Sequence, residues 1–268
     1  MPTKIEWTDE SWNPITGCSP ISLGCLNCYA KRMARRLAGR YGYPDKPNQF
    51  RLTFHRDKIT QPSVWKKPRR IFVCSMGDIA HDDVPIEWFA AVYDQIARCK
   101  QHTFMILTKR PWRLGYFMRE YAVHKYGVLP NVQIGATIEN QQKADELITI
   151  LFNIPAAVRF ISVEPMLGPI NLYSTATGLS KYSRPCIEPI DCQIPGDSTP
   201  MLDWVICGAE TGPGKRFMKN EWAIDLKNQC VDAGVPFFFK KDSYGNHILY
   251  EDWPNDSGKI WEEFPAKV

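Results

Sequence analysis

At 268 residues and 30.8 kDa, with 44% apolar residues, the chain is long enough for one large α/β domain or two small ones, and its core needs no covalent staples. Its longest apolar runs, such as "IFVCSM" and "VPFFF", fall far short of the ~20 residues a membrane span requires, and "MPTKIEWTDE" carries charges where a signal peptide is apolar, so no membrane and a cytoplasmic location are expected. A net charge of +4 and a pI near 8.5 permit an anionic partner without requiring one, since a dedicated nucleic-acid-binding domain has a pI above ~9.

In chain order, the first feature is "GCSPISLGCLNCYAKR" (17–32), which sets Cys18, Cys25 and Cys28 in a C-x6-C-x2-C spacing. Nine cysteines in a reducing compartment are no disulfide framework, so this cluster reads as metal-binding or catalytic. Structural zinc takes four protein ligands. No second knuckle and no H-x3-H follows, although the scattered His55, His81, His102, His124 and His247 leave a fourth ligand conceivable. Three thiolates suit instead a [4Fe–4S] cluster that keeps one iron free of protein. Next, "AKRMARRLAGR" and "WKKPRR" concentrate positive charge, and Lys31, Arg32, Arg35, Arg36, Lys66, Lys67, Arg69 and Arg70 would suffice for a phosphate-contacting face. A solvated helix side followed by a charged loop is the more ordinary reading.

Six apolar runs ending in polar, glycine or proline residues predict strands: 70–78, 103–111, 131–140, 158–169, 202–214 and 235–242. Between them, 84–101, 140–154 and 220–235 repeat apolar residues every three or four positions as amphipathic helices do, the last stopping at Gly234. Strands that are apolar nearly throughout are buried on both faces, which predicts a parallel sheet covered by crossover helices. Polar groups recur at the strand ends: Ser75 to Asp78, Thr108 to Arg110, Thr137 to Asn140, Ser162 to Pro165 and Gly208 to Gly214. That recurrence favours an incomplete (βα)6-type TIM-like barrel with an N-terminal cysteine loop, its chemistry carried by Asp78, Lys109, Glu139, Glu164 and Glu210 at one mouth. With no repeat or hinge linker, residues 1–268 read as a single domain, interrupted by a long excursion at 171–202.

The remaining cysteines have plainer readings. Cys186 and Cys192 in the excursion make half a metal site at most, and Cys74, Cys99, Cys207 and Cys230 read as small buried hydrophobes, with Cys74 or Cys207 the exception if either gives a hydrogen atom to a substrate radical. "GAETGPGKR" (208–216) lacks the spacing of a phosphate-binding loop, and Pro213 removes a donor such a loop needs. It reads as a flexible turn that admits a flat base, with Lys215 and Arg216 alongside. Of nine tryptophans, Trp7, Trp12, Trp65, Trp88 and Trp112 read as core before they read as base-stacking platforms.

The cysteine loop followed by strand-helix units resembles the radical S-adenosylmethionine (SAM) superfamily. More finely, "WNPITGCSPISLGCLNCYA", "SVEPM", "WVICGAETGPG" and "PFFFK", between residue 12 and about 241, resemble the phage-associated domain-of-unknown-function family 5131. Two departures stand out: the first cysteine gap has six residues where the superfamily commonly has three, and Asn27, with Tyr29 beyond Cys28, occupies the place of the aromatic that shelters the adenine. The resemblance implies that Cys18, Cys25 and Cys28 hold three irons and that SAM takes the fourth. It further implies that Ser75, Met76, Gly77 and Asp78 meet the SAM amino group, that Thr137 and Glu139 meet its ribose, and that Lys109 or Arg110 pairs with its carboxylate. Glu164 would orient cofactor or substrate. The implied activity is reductive cleavage of SAM and hydrogen abstraction from an unidentified substrate, a nucleic acid base being preferred. Implied partners are an external electron donor, a nucleic-acid substrate and a protein partner. The reading from a different class is a non-catalytic phage protein that binds nucleic acid and is stabilised by zinc or a cluster.

Overall fold

A computed structural model describes residues 5–173, 202–247 and 260–266. Most of the excursion, with Cys186 and Cys192, lies outside the described residues. In chain order, β1 (Glu10–Trp12), β2 (Ile15–Thr16) and α1 (Tyr29–Leu37) are followed by β3 (Thr53–Phe54), β4 (Arg70–Val73) and α2 (Ile86–Arg98). Then come β5 (Thr103–Thr108), α3 (Pro111–Phe117), a π-helical stretch over Met118–Val123, α4 (His124–Tyr126), β6 (Val132–Thr137), α5 (Gln141–Phe152) and β7 (Val158–Val163). The last elements are β8 (Trp204–Cys207), α6 (Asn220–Ala233) and β9 (Phe237–Phe239). Gly234 ends α6 in the left-handed conformation, as its position predicts.

Seven strands form one parallel sheet in the order β1-β4-β5-β6-β7-β8-β9, and β2 pairs with β3 as a separate antiparallel ribbon. The predicted six strands are all present, and β1 is a seventh. Its three residues, one of them Glu10, are too short and polar to register as a strand, and only pairing with β4 makes it one. Successive side chains alternate between two cores. Ile71, Val73, Phe104, Ile106, Ile134, Ile161, Val205 and Phe239 pack outward against the helices, whereas Phe72, Met105, Phe160, Trp204 and Phe238 point inward around Trp7.

That inner cluster shows that the sheet is a curled half-barrel. The Trp7 ring lies 4.8 Å from Phe72 on β4 and 6.2 Å from Trp204 on β8, whereas four strand spacings would hold those strands about 19 Å apart in a flat sheet. Gly135 makes the packing possible, because a Cβ there would sit 2.5 Å from the Phe160 ring. No helix among the described residues is long and apolar enough to cross a membrane.

A clamped cysteine loop over the mouth of the half-barrel

The aromatic residues fill the half-barrel near the N-terminal halves of the strands. Towards the C-terminal ends the inward positions turn polar, with Thr137, Ser162 and Glu164 following Gly135 and Phe160 at the same two-residue period. The loop that leaves β1 crosses this mouth. Gly17 pairs with Gly77 in a parallel bridge, and its N–H donates to the Met76 carbonyl at 3.0 Å. A Cβ on Gly77 would fall 2.9 Å from the Gly17 oxygen. Gly77 therefore has a structural duty that the sequence reading did not foresee, the close approach of the strand that delivers Cys18.

Each cysteine has its own clamp, and each clamp comes from a different strand end. Arg110, after β5, is 1% exposed; its guanidinium reaches the Cys18 Sγ at 3.7 Å and donates to the Ser19 carbonyl at 3.2 Å and the Ser19 hydroxyl at 3.1 Å. Asp78 and Asp82 hold that guanidinium in place at 3.2 and 2.9 Å. Glu139, after β6, is 2% exposed and accepts from the Ser22 hydroxyl, the Lys109 ammonium and the Gly24 N–H, the last at 2.9 Å. Ser22 in turn lies 3.5 Å from the Cys25 Sγ. Gly24 is required here, since a Cβ would overlap the Glu139 carboxylate at 2.3 Å. Glu210, after β8, accepts from Asn27 at 3.0 Å and from the Arg216 N–H at 2.8 Å, and pairs with the Arg216 guanidinium; Asn27 adjoins Cys28. Charge-assisted bonds of this kind are stronger than neutral ones and directional, which suits them to fixing a loop.

The electrostatics differ from one thiol to the next. Burial, with Asp78 close by, pushes the Cys18 thiol up to about 12 in spite of Arg110. Burial raises Cys25 as well, but Lys109 and the Ser22 hydroxyl overcome it and the net direction is down. The same contest resolves downward at Glu139, where Lys109, Ser22 and Gly24 outweigh burial, and at Glu210, where Arg216 and Asn27 hold the carboxyl at about 2. Both clamps are therefore ionised near neutral pH.

Of the residues singled out from the sequence, Ser75 and Met76 rest on Asn13, whose amide oxygen accepts from the Met76 N–H at 2.8 Å and the Ser75 hydroxyl at 3.2 Å. Tyr29 donates its hydroxyl to the Ser75 carbonyl. Thr137, Lys109 and Glu139 line a cavity of about 180 Å3 together with Ser22 and Trp112. Glu164 stands apart, paired with Lys240 at 2.6 Å. Two of them have contacts the sequence does not announce. Asn27 spends its amide on Glu210 and the Gly214 carbonyl, so it is a clamp. Gly212, with φ +92°, makes room for the Arg32 guanidinium, which would meet a Cβ at 2.5 Å, so the "GAETGPG" turn packs on α1. Asn13, Ser22 and Arg216 as loop anchors were not foreseen, because each acts on a residue remote in sequence.

Cys18, Cys25 and Cys28 are partly buried and in no disulfide, while Cys74, Cys99, Cys207 and Cys230 are buried as expected of core thiols. Among the described residues, no three His, Cys, Asp or Glu side chains are already drawn together as a metal site. His81, the histidine bonded to the loop, spends its Nε2 on the Ser19 hydroxyl at 2.7 Å. Among the described residues the loop thus offers three thiols with no fourth ligand drawn up beside them, flanked by the cations Arg110 and Lys109. Three thiolates are the donor set with which a protein holds a cluster at three irons.

The model of the family described as Protein of unknown function (DUF5131) matches residues 2–265. No curated protein and no solved structure matches the chain.

Proposed function

The chain belongs to the DUF5131 family, and from that premise we propose that it is a radical SAM enzyme whose half-barrel is an incomplete TIM-like barrel carrying a [4Fe–4S] cluster on Cys18, Cys25 and Cys28. The observation that carries the reading is the set of three clamps. Arg110, Glu139 and Glu210 each reach from a different strand end to the neighbourhood of one cysteine. A loop that merely closed the N-terminus would not call for three buried charged groups, which are costly to desolvate unless fully partnered.

When bound, the cluster and SAM together supply a one-electron reductive cleavage that yields methionine and a 5′-deoxyadenosyl radical competent to abstract hydrogen. This chain's share is position and shelter. Lys109 sets positive charge beside Cys25 and favours its thiolate, while Arg110 counters part of the cost that burial and Asp78 impose on a thiolate at Cys18. Ser75, Met76, Gly77 and Asp78 at the end of β4, with Lys109, Thr137, Glu139 and Glu164 farther round the mouth, are the proposed contacts for SAM. The Ser75 carbonyl is the best placed of them to exchange its Tyr29 partner for an ammonium donor. Asp78 in addition positions Arg110, and the aromatic floor closes the half-barrel beneath. The reading needs an external electron donor.

Anaerobic reconstitution with iron and sulfide tests it. The full chain is expected to turn brown, to bind about four irons, and to lose the cluster when Cys18, Cys25 or Cys28 is changed to Ala. After reduction it should release 5′-deoxyadenosine from SAM. Colourless protein with stoichiometric zinc would overturn the cluster, and intact cluster without SAM cleavage would overturn the enzyme.

A further inference from the structure

The rim of the mouth combines two features that neither the clamps nor the core requires. First, it is purely cationic along one stretch. Between Ser11 and Pro44 the sequence has no acidic residue and five basic ones, four of them on α1. Second, large apolar side chains stand in solvent beside those cations: Leu23 is 62% exposed, Leu26 72%, Phe217 58% and Tyr244 74%.

Tertiary contacts join these pieces into one surface. Arg216 donates to the Leu23 carbonyl at 3.0 Å, placing Phe217 next to the cysteine loop. Met218 donates its N–H to the Ser243 hydroxyl at 2.8 Å, which brings Tyr244 alongside, and the Phe217 and Tyr244 rings meet edge-on with centroids 5.4 Å apart. On the other side, Arg32 lies on the Thr211 carbonyl at 2.9 Å. Arg35 and Arg36, one helical turn farther on, carry the positive face of α1 away from the same turn.

We infer that this rim docks single-stranded nucleic acid, its phosphates along α1 at Arg35 and Arg36 and its bases against Phe217 and Tyr244. Charge complementarity selects a polyanion, and exposed rings beside the charge select one with unpaired bases: a duplex buries the faces that stack, and an acidic peptide has no flat faces. As the substrate class of the mouth, the inference rests on the function proposed above; as a binding surface it does not.

Fluorescence anisotropy with the full chain, with and without reconstituted cluster, tests it against labelled 12-mers of single-stranded RNA and DNA, the matching duplexes and a poly-glutamate peptide. Single strands are expected to bind more tightly than duplexes, and a preference between RNA and DNA names the sugar. Phe217→Ala with Tyr244→Ala should weaken single strands about tenfold or more. Arg35→Gln with Arg36→Gln should make the plot of log affinity against log salt shallower by about 1.4. Equal affinity for poly-glutamate, duplex preferred over single strand, or binding unmoved by both variants overturns the inference. Strand binding without SAM cleavage leaves this surface standing and removes the enzyme; SAM cleavage without strand binding does the reverse.

Discussion

The floor and the mouth of the half-barrel are made by the same parallel strands and held by opposite means. On the floor, Phe72, Phe160, Trp204 and Phe238 close around Trp7 by excluding water, a force that is large and indifferent to direction. At the mouth, Arg110, Glu139 and Glu210 are at most 7% exposed and keep their charge by accepting or donating several bonds each, to the cysteine loop and to a charged neighbour that compensates them. Such groups add little net stability once desolvation is counted. What they provide is a fixed position for that loop. The contrast separates the part of the molecule that keeps it folded from the part that fixes the cysteine loop in place.

Phe160→Ala is the sharpest test of the first half of that contrast. Removing a ring that packs on Trp7 and Trp204 should cost about 3–5 kcal/mol in denaturant unfolding, while the folded fraction keeps its full iron content after reconstitution. Iron loss in the folded fraction would mean that floor and mouth are not separable.

Glu139→Ala attacks the second half. Leaving Ser22, Gly24 and Lys109 without their acceptor should cost about 1–3 kcal/mol, yet iron affinity should fall by about 10–100-fold, as expected when a group that orients a ligand is lost. Glu139→Gln, which still accepts from Gly24, should recover part of the iron affinity. A pure stability effect with iron binding unchanged would reduce the clamp to an ordinary buried ion pair.

The smallest effect is a pH dependence at Glu210. Its folded value, about 2, lies below its ordinary value of 4.5, because the Arg216 and Asn27 bonds to the carboxylate outweigh its burial. As pH falls, the unfolded chain takes up this proton first, so the clamp's contribution is complete above the ordinary value and disappears as pH drops through the folded one. The stability gap between wild type and Glu210→Gln, measured by thermal unfolding, should therefore be full at pH 7 and close between about pH 4.5 and 2. A gap that stayed constant across that range would show that the charge on Glu210 is not what holds Asn27.

Much was legible in the chain itself. Local apolar patterning marked the six apolar strands β4 to β9, helices α2, α5 and α6 and the Gly234 stop, because burial demands that pattern of each segment before any neighbour is known. The cysteine spacing marked the loop, and polar groups at the strand ends marked the mouth over which it lies. What only the tertiary structure decided was pairing at long range. β1 is a strand because β4 offers it an edge, Gly77 and Gly24 are glycines because Gly17 and Glu139 arrive there, and Arg110, Glu139 and Glu210 are clamps because a loop about ninety to two hundred residues away brings their partners. A side chain's charge is written in its own residue, but the group that compensates it is chosen by the fold, and so the sequence placed the site without stating how it is held.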